Sequence, residues 1–80
     1  MRVPRDLAGQ ELIRRLARFG YAVSRQTGSH IRLTTSENGE HHITIPNHDP
    51  LRVGTLSAIL AAVATHHHIT RDELLERLFD

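Results

Sequence analysis

The apolar positions of the chain change period as it proceeds. From about Gly9 to Phe19, Leu12, Leu16 and Phe19 fall on one stripe, with Ile13 and Ala17 beside it and Arg14, Arg15 and Arg18 pointing away. That spacing predicts an amphipathic helix, and Gly20 is its natural stop. Three alternating runs follow. In Tyr21–Arg25, Tyr21 and Val23 share a face. In Ser29–Thr35, Ile31 and Leu33 face one way and His30, Arg32 and Thr34 the other. In His41–Pro46, Ile43 and Ile45 oppose His42 and Thr44. Period-two alternation of this kind predicts half-buried strands.

Cross-strand partners share a face, so buried residues must oppose buried residues. For Tyr21 and Val23 to oppose Leu33 and Ile31, the first turn is expected to be Gln26-Thr27-Gly28. For Ile31 and Leu33 to oppose Ile45 and Ile43, the second is expected to be Glu37-Asn38-Gly39. Both loops end in glycine, Gly28 and Gly39, which suits the left-handed position of a bulged turn. In this register His30 opposes Ser24 and Pro46, and His42 opposes Thr34.

Residues 46–54 read as a loop with Pro46, His48, Pro50 and Gly54. A second helix is expected to start near Thr55, bury Leu56, Ile59, Leu60 and Val63, and end around His66-His67-His68. Thr70-Arg71-Asp72-Glu73 forms a capping-box pattern, with Ile69 and Leu74 as its staple. A last helix from Arg71 to Phe79 would bury Leu74, Leu75, Leu78 and Phe79. The fold class is therefore α+β, one domain over residues 1–80. Its order is α-β-β-β-α-α, with a three-stranded antiparallel sheet covered by helices on one face and free on the other.

Composition narrows the chemistry. With no cysteine among 80 residues, a disulfide framework, a thiolate nucleophile and a cysteine-based zinc site are excluded, which fits a reducing cytoplasm. The start, Met1-Arg2-Val3-Pro4-Arg5, runs into the charged helix with no signal-peptide pattern, and Leu56–Ala64 is far too short to cross a bilayer. The net charge of +1 conceals a division. Residues 1–35 carry seven arginines against two acids, +5, and residues 36–80 carry three against seven, −4. A basic half suits a polyanionic partner, although arginines at 14, 15 and 18 equally suit a solvated helix face.

Seven histidines raise the question of a metal. His42 lies four residues along the sheet from His30, about 13 Å at ~3.3 Å per residue, too far to share an ion. His41 points toward the core side or lies at a frayed strand start, and His66–His68 are expected far from the sheet. No metal site and no cofactor are expected. His30 stands apart: it follows Gly28-Ser29, faces away from Ile31 and Leu33, and has Arg25 and Arg32 nearby. An imidazole there can give or take a proton, and flanking guanidiniums can hold phosphate. His48 is its one plausible imidazole neighbour. On residue chemistry alone the default is an ordinary surface histidine at a strand start, and a non-catalytic RNA- or protein-binding module stays open beside the catalytic reading.

Together, Gly20-Tyr21, Arg25-Gln26-Thr27-Gly28-Ser29-His30, Ile45-Pro46-Asn47-His48 and Gly54-Thr55-Leu56 with Ile59-Leu60 resemble the HicA toxins of toxin–antitoxin pairs. The resemblance runs from about Glu11 to Leu78. It implies a double-stranded-RNA-binding-domain-like fold and an endoribonuclease that cleaves mRNA and blocks translation. It also implies that the histidine of Gly-Ser-His, here His30, is essential; Arg25, Ser29, Arg32 and His48, the residues around it, are the expected RNA- or phosphate-binding set. The expected partners are mRNA and a HicB-type antitoxin covering the active surface. The lysine-rich helix start that grips duplex phosphates in such folds is missing, since the chain has no lysine.

Overall fold

The computed structural model describes residues 3–79. The elements are α1 (Gly9–Leu16) continued by a 3-10 turn (Ala17–Phe19), β1 (Ala22–Thr27), β2 (His30–Thr35), β3 (His41–Pro46), α2 (Val53–His66) and α3 (Arg71–Phe79). The strands form one antiparallel sheet in the order β1-β2-β3. This is the α+β arrangement expected, and one buried cluster joins the helices to the inner face of the sheet. Leu12 and Leu16 of α1, Ile31, Leu33, Ile43 and Ile45 of the sheet, Leu56, Leu60 and Val63 of α2, and Leu74, Leu75 and Leu78 of α3 all lie in it. Gly20 closes the first helix in the left-handed conformation, with φ 79°. At the start of α3, the Glu73 amide donates to Thr70 Oγ1 (3.1 Å), while the Glu73 carboxylate pairs with Arg77 (2.6 Å) instead of closing a full box.

The second hairpin has the expected register, with Ile31 opposite Ile45, Leu33 opposite Ile43, His30 opposite Pro46 and Thr34 opposite His42. Asn38 and Gly39 both take positive φ in its turn.

The first hairpin differs from expectation. Its connection is the two residues Gly28-Ser29, with Thr27 rather than Ser24 opposite His30, and the strand carries a bulge between Val23 and Arg25. Val23 pairs with Leu33, not Ile31, and remains 54% exposed. The helices leave Val23 of β1 uncovered, so burial at that position does not dictate the register. A bulge inserts one residue and reverses the face on which the following side chains fall. Tyr21 and Arg25, four apart, would share a face in a regular strand. The bulge leaves Tyr21 buried and aligns Arg25 with the outward-facing Arg32.

The helical arginines are largely spoken for. Arg15 donates to Glu11 (2.8 Å) and to the Leu78 carbonyl (2.7 Å). Arg18 donates to the carbonyls of Arg77 (2.6 Å) and Leu78 (3.2 Å). These guanidiniums satisfy the open carbonyls at the end of α3, where positive charge also suits the helix dipole. Arg14 pairs with Glu11, and Arg2 lies outside the described residues. The basic half is thus not one continuous patch.

The histidines at the end of α2 do not lie far from the sheet, because α2 runs back over the β2–β3 turn. His66 Nε2 faces the carbonyls of Glu37 and Gly39, each at 3.0 Å, and its ring stacks on His41 at 4.3 Å. His67 is buried. Its Nδ1 lies 3.0 Å from Asn38 Nδ2 and its Nε2 3.1 Å from the Tyr21 hydroxyl, which lies 2.7 Å from His41 Nδ1. The pattern is satisfied when Asn38 donates to His67, His67 to Tyr21 and Tyr21 to His41, with both imidazoles neutral.

Burial, followed by the neighbouring His66, accordingly holds His41 and His67 below the ordinary 6.5. Burial and then Glu37 push the Tyr21 hydroxyl up to about 12, keeping it a donor. A histidine depressed in the folded state binds protons more readily when unfolded, so its contribution is present above the unfolded value and lost on acidification. The thermal midpoint should fall as pH drops below about 6.5. A His41→Asn/His67→Asn variant should show a flatter profile between about pH 7 and 5 by calorimetry, because the titrating groups are gone.

Candidate functional site

The outer face of the sheet is left uncovered by the helices. Across it run three rows of paired positions: Thr27, His30 and Pro46; Arg25, Arg32 and Thr44; Ala22, Thr34 and His42. Thr27, His30, Arg25, Arg32 and Thr44 are all exposed. His30 therefore sits at the first position of β2, beyond the Gly28-Ser29 turn, one row from an opposed pair of arginines.

The turn that carries His30 is held from three sides. Gly28 takes φ +57° with open space around it, which fits the first central position of a tight two-residue hairpin turn. The Asn47 amide donates to the Ser29 carbonyl (2.7 Å), and the Gly9 amide to the His48 carbonyl (2.9 Å). Gln10 Nε2 donates to Asn47 Oδ1 (3.1 Å). A Cβ on Gly9 would lie 2.3 Å from the Pro46 carbonyl oxygen, so only glycine lets α1 approach this closely. The start of α1, the 28–29 turn and the segment after β3 are thereby stitched together. His48 is exposed on that segment, which leaves the sheet at the strand position opposite His30.

Arg25 and Arg32 are directly opposed across the strands. Like charges so placed repel, by a few tenths to about 1 kcal/mol. Among the described residues neither has an acidic partner, and Glu40 is held by His42 at 2.7 Å. The pair is thus a local concentration of unsatisfied guanidinium donors, able to take a group with two or more anionic oxygens. Proton-transfer capacity and anion-binding capacity lie side by side on an open surface.

The sequence-derived candidates thus separate into a joined group and outliers. His30, Arg25 and Arg32 share the outer face; Ser29 and His48 border it; Gly28 shapes its rim. Gly39, φ +98°, lies at the other end of the hairpin with His66. Ser24, Thr27 and Gln10 were not singled out as site residues from the sequence. Ser24 and Thr27 are hidden by the bulge, and Gln10 by a tertiary contact across 37 residues. Two hollows of the surface lie elsewhere. One of about 620 Å³ is lined by Val3, Arg5, Asp6 and Pro50–Val53. Another, of about 490 Å³, is lined by His41, Ala61, Ala62, Thr65 and His66. Neither contains a residue of the outer face around His30, which offers a polymer an open platform and not a pocket. Among the described residues no three His, Cys, Asp or Glu side chains are grouped to hold a metal ion, and no helix is long and apolar enough to cross a membrane.

No curated protein and no solved structure matches the chain. The family model described as the HicA toxin of bacterial toxin-antitoxin matches residues 9–64, a span from the first residue of α1 almost to the end of α2 that takes in the whole sheet and the His30 turn. The chain belongs to this toxin family.

Proposed function

We propose that this toxin is an endoribonuclease that cleaves mRNA without a metal ion and so arrests translation, with His30 as its general acid–base group. The observation that carries the reading is the exposed imidazole of His30 one row from the Arg25–Arg32 pair, on a face that no helix covers. An RNA strand laid across the sheet would place a phosphate at the arginines. His30 then takes the proton of the adjoining ribose 2′-hydroxyl and the 2′-oxygen attacks phosphorus. The bond to the 5′-oxygen breaks, and that oxygen takes up a proton. His48, at the border of the site, is the candidate donor of it. The guanidiniums offset the charge that builds on the phosphoryl oxygens, and the Ser29 hydroxyl is placed to contact the backbone. The sheet face is open enough for a HicB-type antitoxin to cover it and exclude RNA, and the reading places the protein in the cytoplasm with its substrate.

His30→Ala should reduce RNA cleavage in chelator by about 10²–10⁴-fold, the range for losing a general acid–base group, and should relieve growth arrest on induction. Its thermal midpoint should stay near wild type, since the side chain is exposed. Cleavage by the variant at the wild-type rate would overturn the assignment, and salt-sensitive RNA binding without cleavage by wild type would favour a binding module.

Arg25→Ala and Arg32→Ala should each weaken binding to single-stranded RNA. Each should lower the slope of log affinity against log salt by about 0.7, the value for one lost phosphate contact. Arg15→Ala, on the helical side, should leave that slope unchanged.

A further inference from the structure

The bulge in β1 accommodates one extra residue, Ser24, while keeping Tyr21 inward and Arg25 outward. A chain lacking Ser24 would reach the same faces by plain alternation, with Tyr21 and Val23 inward and Ala22, Arg25 and Thr27 outward. What the extra residue adds is its own hydroxyl on the His30 face and the local twist a bulge imposes. That hydroxyl is fully engaged. Ser24 Oγ donates to the Arg32 carbonyl (3.3 Å) and accepts from Thr34 Oγ1 (2.8 Å). Thr34 Oγ1 lies 2.8 Å from His42 Nδ1, and His42 Nε2 lies 2.7 Å from Glu40 Oε2. These contacts link Glu40, His42, Thr34 and Ser24 in one chain across the outer face to the backbone of Arg32.

We propose that Ser24 is a positioning residue for the phosphate site: its bulge and hydroxyl fix the Arg32 backbone and hold the Arg25 and Arg32 guanidiniums as one cradle for a single RNA phosphate beside His30. This deepens the reading of the outer face as an RNA site and rests on it. Unbonded, the two opposed arginines would splay apart to reduce their repulsion. The tie between Ser24 and the Arg32 carbonyl (3.3 Å) restrains the strand backbone at Arg32, directly opposite Arg25.

The test uses the full chain with Ser24 deleted, Ser24→Ala and Ser24→Thr. Three quantities are measured: thermal midpoint, salt dependence of binding to 2′-O-methyl RNA, and kcat/KM for unmodified RNA. The deletion and Ser24→Ala should keep the wild-type midpoint, lose about 0.7 from the salt slope and cut about tenfold or more from kcat/KM, as expected for misplaced contacts. Ser24→Thr, which retains the hydroxyl, should restore both, and Arg25→Ala added to the deletion should lower the slope little further. Wild-type slope and kcat/KM in the deletion and Ser24→Ala would overturn the proposal. So would losses that merely follow a fall in midpoint, or that Ser24→Thr does not recover. A wild type that binds 2′-O-methyl RNA but does not cut unmodified RNA would overturn the nuclease reading alone, because the salt slopes still report on Ser24.

Discussion

The pairing of Ile31 and Leu33 with Ile45 and Ile43 governs everything else on the sheet. Each of these side chains is at least nine-tenths buried beneath the helices, and full burial of one such residue is worth roughly 1.5–3 kcal/mol. Slipping the β2–β3 register by one residue would turn one strand over, exposing either Ile31 and Leu33 while burying His30 and Arg32, or Ile43 and Ile45 while burying His42 and Thr44. The apolar face therefore fixes the polar face: His30 and Arg32 point outward because their neighbours cannot. Edge strand β1 is less constrained on its inner side, and there the chain inserts a residue and brings Arg25 alongside Arg32.

Tertiary contacts then convert an exposed histidine at a strand start into a defined site. Gly9 lets α1 press against the Pro46 carbonyl, and the amides of Gly9 and Asn47 bind the carbonyls of His48 and Ser29. The rim around His30 is thus backed by a helix and a neighbouring segment. At the opposite end of the hairpin, Tyr21, His41, His66 and His67 clamp the β2–β3 turn to α2. Two groups of histidines consequently do different things in one small protein. One lies open to solvent beside arginines, and the other is a hydrogen-bonded lock between the sheet and α2.

Periodicity made the elements legible because each carries a clear stripe or alternation. Leu12–Leu16–Phe19 announces α1, and the interleaved Ile, Leu and His positions announce β2 and β3. The second hairpin was legible to the register because four buried residues over-determine it. The first was not, because parity arguments assume regular strands, and Val23 on an open edge gave no burial signal against a bulge. The role of Arg15 and Arg18 at the end of α3 was equally hidden, since the carbonyls they bind lie some 60 residues away. So was the contact of His66 and His67 with the sheet: a helix of known length has no known direction until it packs. Around His30, the faces of His30 and Arg32 could be read from alternation, whereas that of Arg25 could not.

What remains on the outer face after these structural roles are assigned is a small set of exposed residues: one histidine, two opposed arginines and the hydroxyls around them. The toxin family membership gives this face a biological setting, and its flatness and unsatisfied donors suit a polymeric anion. The most direct measurement is to add a 2′-O-methyl RNA to the isotopically labelled His30→Ala protein and follow backbone amide shifts. The account requires the perturbations to centre on residues 24–32 and 44–48. Perturbations centred on α2 and α3, with residues 24–32 unmoved, would contradict it.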